Sequence, residues 1–397
     1  MNKIFSLLTA LFILLSFCPL KADPPANSEL KYVGGINRGQ KYTLGKFPVL
    51  ILKGSFRDMG RQYGKLLREE IRGLYARMKT ELLDRPGFPA QKSEQMARDL
   101  GSRYPERFRR LLEGVAESSG LGFDKIVLLD NLLLLAQQED EYFQCSSLAA
   151  WGEYTGGKPL VLGRNFDFAP YFKKFEDSLA LVVLKPDDGS CPTAVFGYAG
   201  QISGVHAFNV RGLGIETNLG QPGDDSQAED RSSGLLNLTQ DMLDAGNFEA
   251  LKTLAASNRF FAPLLLLLVG PERAVCYEMD LNESRTRPAK GNGFLALTNH
   301  FTAPSWGPER ISAYRPATGS TSIARYDNLA YWAKKYKGEI DSVKMMKLLS
   351  TPVAQGGVLK EDTLTQFVYV PAKLELWLRA PGYQDWISVP LKDLFGW

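Results

Sequence analysis

The sequence predicts an α+β layered fold. Helical periodicity runs over most of the chain up to Gln144, and at Cys145 the texture changes to short alternating or β-branched runs separated by turn signals. Beyond about residue 220 a helical pair interrupts the strands, which then resume. Strands in series, then helices, then strands suit layered antiparallel sheets rather than alternating parallel units. With 397 residues, 44% of them hydrophobic and 23% charged, the chain can bury a full core in one large or two modest domains.

Taken in order, Met1-Asn2-Lys3 and the apolar run from Ile4 to Leu15 form a charged head and a hydrophobic stretch too short to span a bilayer. With the small residue in Leu20-Lys21-Ala22, residues 1–22 read as a Sec signal peptide, and the protein is expected to be exported to a periplasmic or extracellular space. Phe17 and Pro19 on either side of Cys18 make a poor lipid-attachment site. No later segment is expected to span a membrane, since the most apolar one, residues 260–269, is interrupted by Pro263 and bounded by Gly270.

Residues 23–144 are expected to form a helical N-terminal segment. A helix runs from Arg57 to about Leu83, and Gly60 and Gly64, one turn apart, weaken it in isolation and so imply close packing against a neighbour. Residues 93–119 and 123–139 read as further helices. From Cys145 on, Leu148–Trp151 turns through Thr155-Gly156-Gly157-Lys158 into Leu160–Leu162, and Leu179–Leu184 turns through Asp188-Gly189 into Thr193–Phe196. Strands follow at 204–209 and 212–218, a helical pair at 234–244 and 247–257, two strands up to Leu297, helices at 322–336 and 341–350, and terminal strands near 366–379.

Lys and Arg number 47 against 44 Asp and Glu, a net +3 that falls to about +1 once Lys3 and Lys21 leave with the leader. That balance argues against a nucleic-acid partner, which would need a strong basic excess. No metal-ligand spacing appears, and Gly212-Leu213-Gly214 lacks a phosphate-binding context, so no cofactor is expected.

Of four cysteines, three lie beyond the leader, so at least one is unpaired. Cys191 and Cys276 can either pair or fill apolar space, and Cys145 is the thiol to explain. It starts a strand after the polar stretch Glu139 to Gln144. A cut between Gln144 and Cys145 would expose an α-amine, of pKa about 8, beside the thiol of the same residue, where it could act as base. The economy matters in a chain with only His206 and His300. The Gly156-Gly157 hairpin carries Arg164 and Asp167 back beside Cys145, the guanidinium to favour thiolate and the carboxylate to orient the amine. Two alternatives stand beside this: a Cys/His hydrolase of wall peptides that pairs Cys145 with His206 or His300, and a secreted binding protein without turnover.

Cys145-Ser146-Ser147, Gly163-Arg164-Asn165-Phe166-Asp167, Gly212 to Asn218, Leu297-Thr298-Asn299-His300-Phe301 and Ser322-Ile323-Ala324-Arg325-Tyr326 resemble, in order, the motifs of cysteine N-terminal-nucleophile hydrolases. The nearest resemblance is to the acyl-coenzyme A:6-aminopenicillanic acid acyltransferase family, with choloylglycine hydrolase, penicillin V acylase and acid ceramidase as wider kin. It implies an αββα sandwich and self-cleavage before Cys145, leaving residues 23–144 as partner of a catalytic chain, 145–397. It also implies roles: Cys145 as nucleophile and base, Arg164 tuning the thiol, Asp167 orienting the amine, Asn299 and Asn218 donating to the oxyanion, and Arg325 fixing the site through Asp167 or the new chain terminus. The implied substrate is a small N-acylated amine. Hydrolysis is favoured over transfer outside the cell, where acyl-coenzyme A is scarce. The acidic loop Gln221 to Ser233 is expected to edge the substrate pocket.

Overall fold

The computed structural model describes residues 29–84, 90–137, 144–220, 234–258, 260, 262–291, 293–312 and 320–396. The expected signal peptide, the acidic loop and the stretch from 138 to 143 lie outside them.

The described chain opens on three strands, β1 (Lys31–Ile36), β2 (Gly39–Leu44) and β3 (Phe47–Gly54). Helices α1 (Phe56–Leu66), α2 (Arg68–Met78), α3 (Ala90–Arg103), α4 (Glu106–Ser119), α5 (Phe123–Asp130) and α6 (Leu132–Gln137) follow. Next come β4 (Ser146–Ala150), β5 (Val161–Asp167), β6 (Leu179–Pro186), β7 (Thr193–Tyr198), β8 (His206–Asn209) and β9 (Gly214–Leu219), then helices α7 (Gly234–Asp244) and α8 (Phe248–Ser257). Strands β10 (Leu264–Val269), β11 (Ala274–Met279), β12 (Ser284–Arg287) and β13 (Phe294–Leu297) precede α9 (Pro308–Ser312), α10 (Ser322–Lys335) and α11 (Ser342–Ser350). The chain closes with β14 (Thr363–Val370), β15 (Glu375–Ala380), β16 (Gln384–Pro390) and α12 (Leu391–Phe395).

Two sheets stack between helical layers. The larger has the order β1-β2-β3-β6-β7-β8-β9-β10-β11-β12 and the smaller β13-β4-β5-β14-β15-β16. Strand alternation decides which residues face which layer. In β10, Leu264, Leu266 and Leu268 turn outward onto α7 and α8, meeting Leu238, Met242 and Leu251. Leu265 and Leu267 turn inward to the core between the sheets, where Leu162, Phe166 and Phe367 of the smaller sheet also sit. On the far side of that sheet, Leu148, Val161 and Val368 pack against Leu329 and Ala333 of α10 and Met345 and Leu349 of α11. These four layers are the αββα sandwich the resemblance implies.

The N-terminal segment corrects one expectation, because it is not only helical. β3 pairs in parallel with β6, Val49 opposite Leu181 through Gly54 opposite Pro186, so the segment extends the larger sheet. Leu50 and Leu52 are fully buried, as is Val49. A run buried on both faces carries no alternation and gives little strand signal. The helical reading is otherwise matched with breaks: 57–83 divides at Leu67 and ends in a π turn, Lys79–Leu83, and 93–119 divides at Pro105. Among the described residues four strands, not two, lie between α8 and Leu297, and β14, β15 and β16 are the terminal strands.

Gly60 and Gly64 do what their spacing suggests. A Cβ at Gly60 would run into the Leu111 carbonyl, one at Gly64 into that of Val115, and one at Gly114 into that of Arg57, so α1 and α4 touch backbone to backbone. Among the described residues no helix is long and apolar enough to cross a membrane.

Candidate active site

The hairpin of β4 and β5 carries the site. Ser146 lies opposite Asn165 and Ser147 opposite Arg164, and the ladder continues beyond the strand, with the Gln144 N–H donating to the Asp167 carbonyl at 3.2 Å. Gly156 and Gly157 turn the hairpin at φ +64 and +78, a left-handed conformation glycine adopts at least cost. Alternation aims Arg164 and Phe166 into the space between the sheets, and Gly163 and Asn165 toward α11. Gly163 leaves room for Met345, and Asn165 Nδ2 donates to the Leu349 and Val358 carbonyls at 3.1 Å each, so that helix is locked onto the strand beneath the site.

Cys145 has no exposed surface in the uncut chain, and Arg164 Nη2 donates to its Sγ at 3.3 Å. Burial pushes the thiol up, the Arg164 charge is the main influence pulling it down, and the Asp167 charge adds to the upward push. Arg164 is itself held on all sides. Nη1 donates to the Val205 carbonyl at 2.7 Å, Nη2 to the Thr217 carbonyl at 2.5 Å, and Nε lies 3.3 Å from Glu216 Oε2. Glu216 is a site member the sequence reading missed. Alternation along β9 puts it on the same inward face as Asn218, and a charged residue there was the available signal.

Asp167 is fully buried. Its Oδ1 accepts from Thr363 Oγ1 at 2.6 Å, while Oδ2 has no hydrogen-bond partner. Burial raises its carboxyl to about 6, against the opposing charges of Arg325 and Lys360. Arg325, on the buried face of α10, reaches the other end of the nucleophile residue. Nη1 donates to the Cys145 carbonyl at 2.5 Å and to Ser146 Oγ at 2.7 Å, and Nη2 to Asn299 Oδ1 at 2.9 Å. It therefore anchors the main chain at Cys145 directly and acts on Asp167 through its field.

The two asparagines clasp each other's strands. Asn218 Nδ2 donates to the Thr298 carbonyl at 3.2 Å and Asn299 Nδ2 to the Leu219 carbonyl at 2.9 Å. Gln144, the residue before the expected cut, has its side-chain oxygen 3.4 Å from the Thr321 N–H. All six expected site residues and Gln144 thus gather at one end of the β4–β5 hairpin, Arg164 on its inner face and Arg325 on its helix-covered face.

The histidines serve elsewhere. His206 Nδ1 lies 3.5 Å from Arg164 Nη1, and burial pushes that ring well below its ordinary value. His300 Nδ1 is 2.8 Å from Ser322 Oγ, and burial lowers it to about 4. The side chain bonded to Cys145 is Arg164, which removes the ground for a Cys/His pair. Cys191 and Cys276 are both free, so the pairing left open above is not made. Among the described residues no group of three or more His, Cys, Asp or Glu is arranged to hold a metal ion.

A buried cysteine thus stands at the head of a central strand of an αββα sandwich, with Arg164, Asp167 and Arg325 around it. The chain belongs to the acyl-coenzyme A:6-aminopenicillanic acid acyl-transferase family, whose model matches residues 154–385. Membership puts it among proteins that cleave or transfer acyl groups. The chain is similar to three solved structures of low identity. A Caenorhabditis elegans ortholog of N-acylethanolamine-hydrolyzing acid amidase is 14% identical, with a TM-score of 0.45 over 60% of this chain and 95% of that one. A mutant conjugated bile acid hydrolase from Clostridium perfringens is 12% identical, with a TM-score of 0.41 over 63% and 94%. Penicillin V acylase from Agrobacterium tumefaciens is 12% identical, with a TM-score of 0.39 over 63% and 88%. No curated protein matches the chain.

Proposed function

We propose that the protein is an exported cysteine amidohydrolase that activates itself by cutting between Gln144 and Cys145 and then cleaves small N-acylated amines, with transfer of the acyl group to another amine as its side reaction. The observation that carries this reading is the unpartnered Oδ2 of buried Asp167, on the residue whose carbonyl holds the Gln144 N–H. A buried carboxylate oxygen with nothing bound to it is costly. Cutting the adjoining peptide bond would create an ammonium to occupy it.

In the activation step Cys145 Sγ attacks the Gln144 carbonyl carbon, the acyl group passes from nitrogen to sulfur, and water releases it, freeing the Cys145 amine. In turnover that amine takes the thiol proton, the thiolate attacks the substrate amide, and Asn299 and Asn218 donate to the oxyanion. The amine then passes the proton to the departing amine, and water resolves the thioester. Arg164 favours thiolate, Asp167 orients the amine, and Arg325 keeps the main chain at Cys145 in place once the covalent tether is gone.

The test is intact mass with N-terminal sequencing of purified protein, wild type beside Cys145→Ala. The reading expects two chains in wild type, the second starting at Cys145, and one chain in the variant. An uncut wild type that turns over amides at full rate overturns it.

A further inference from the structure

The loop between β7 and β8, residues 199–205, ends at the carbonyl that holds Arg164, and side chains of the N-terminal segment hold that loop. Asp130, at the end of α5, accepts through Oδ1 from the Ile202 and Ser203 N–H groups at 2.7 and 2.8 Å, and through Oδ2 from Ser203 Oγ at 2.6 Å. Tyr104 Oη donates to the same Oδ2 at 2.5 Å and itself accepts from Asn131 Nδ2 at 2.8 Å. Tyr63, on α1, accepts from the Gly200 N–H at 2.8 Å and donates to the Gln201 carbonyl at 3.0 Å. Asp130 and Tyr63 are both buried. From the catalytic side, Thr239 Oγ1 donates to the Ile202 carbonyl at 2.6 Å and the Thr217 N–H to the Val205 carbonyl at 3.1 Å.

We propose that Asp130 and Tyr63 are positioning residues for Arg164, and through it for the Cys145 thiol: they fix the loop that delivers the Val205 carbonyl to Arg164 Nη1. The proposal rests on the Cys145 reading of the site. Val205 O holds Nη1 at 2.7 Å while Nη2 reaches Sγ at 3.3 Å, so a shift of that carbonyl pulls on one edge of a rigid, planar guanidinium whose other edge faces the sulfur. Without Asp130 the Ile202 and Ser203 amides would be buried and unpaired, and the loop would shift to find other acceptors. The N-terminal segment is accordingly half of the thiol site and not a detachable pro-piece.

Three variants test this: Asp130→Ala, Asp130→Asn, which keeps an acceptor oxygen for the two amides, and Tyr63→Phe, which removes one hydroxyl. In processed protein, Asp130→Ala is expected to lower kcat about tenfold with KM within about twofold, and to raise the midpoint of Cys145 alkylation by iodoacetamide by about one pH unit. Asp130→Asn is expected to recover most of both, and Tyr63→Phe to shift them in the same direction by less. Should Asp130→Ala fail to fold, the other two variants decide. In an uncut Cys145→Ala background the Arg164 Nε–Hε signal in a 15N spectrum is expected to move with Tyr63→Phe and to stay near its place with Asp130→Asn. A wild-type alkylation profile and kcat in a folded Tyr63→Phe, or an Arg164 signal that Tyr63→Phe leaves unmoved, overturns the proposal. If wild type is never cut, the functional reading falls, and the Arg164 signal in the uncut chain still decides about positioning.

Discussion

Cys145 and Cys276 share their ingredients and differ in how the nearby arginine is used. Both are fully buried, Cys276 on β11 and Cys145 just before β4, each with an arginine opposite or nearby and a buried glutamate within that arginine's reach. Burial pushes both thiols up. Around Cys276 each Arg287 nitrogen donates to an acceptor other than sulfur: Nε to Glu278 Oε1 at 2.5 Å, Nη1 to the Ala296 carbonyl at 2.5 Å and Nη2 to the His300 carbonyl at 2.8 Å. Glu278 in turn takes the Trp306 indole and the Thr302 and Ala303 amides. That pair ties down the chain just after Asn299. Arg164 instead keeps an Nη2 donor for sulfur, and its glutamate lies at 3.3 Å without a well-aligned hydrogen bond. Under the proposed function, proximity to a cation is therefore insufficient to mark a nucleophile. What differs at Cys145 is a guanidinium donor aimed at sulfur and a neighbouring carboxylate oxygen left open.

The contrast can be broken most sharply at sulfur itself. Cys145→Ala is expected to abolish self-cleavage and lower amide turnover by roughly 10⁴-fold or more, read by gel and by product assay. Asn299→Ala comes next, with kcat down roughly 10² to 10³-fold, since it removes an oxyanion donor and the Oδ1 that holds Arg325. Arg164→Met should cost about 10²-fold in rate and also destabilise the fold by about 3 kcal/mol, because Glu216 loses its partner in the interior. Adding Glu216→Gln should restore the melting temperature but not the rate, which separates tuning of the thiol from support of the fold.

Asp167 gives a pH signature in the uncut Cys145→Ala chain. Its folded-state carboxyl, raised to about 6, binds a proton more tightly than the unfolded one near 3.8. Its contribution to stability is therefore fully present below about pH 4 and is lost as pH rises toward 6, by ~3 kcal/mol. Chemical denaturation across that window should show the slope in Cys145→Ala, and Asp167→Asn should flatten it. The smallest effect belongs to the other thiol: Cys276→Ala should leave kcat within about twofold and lower stability by about 1 kcal/mol.

The part of the site that sequence made legible is the part built by local geometry. A hairpin with two turn glycines puts Arg164 and Asp167 beside Cys145 whatever the rest of the chain does, and the observed register does so. Asn218, Asn299 and Arg325 were named through family motifs, and their packing carried detail that motifs do not: the reciprocal clasp, and the hold of Arg325 on the Cys145 carbonyl. Thr363 and Asp130 were not legible, because each reaches the site through a contact between segments far apart in sequence. β1 to β3 escaped for a related reason. Val49-Leu50-Ile51-Leu52 reads as an apolar run without period, and its strand identity comes from its place between β2 and β6.

The central claim is that one residue supplies both the attacking sulfur and the base, and a reagent that needs both groups on one residue tests it most directly. Cyanobenzothiazole condenses with a free N-terminal cysteine and forms no stable adduct with an internal thiol. Purified active protein, denatured and labelled, is expected to carry one adduct per catalytic chain, on Cys145, and labelling under native conditions is expected to remove amide turnover in step. Active protein that takes no label at Cys145 would contradict the account.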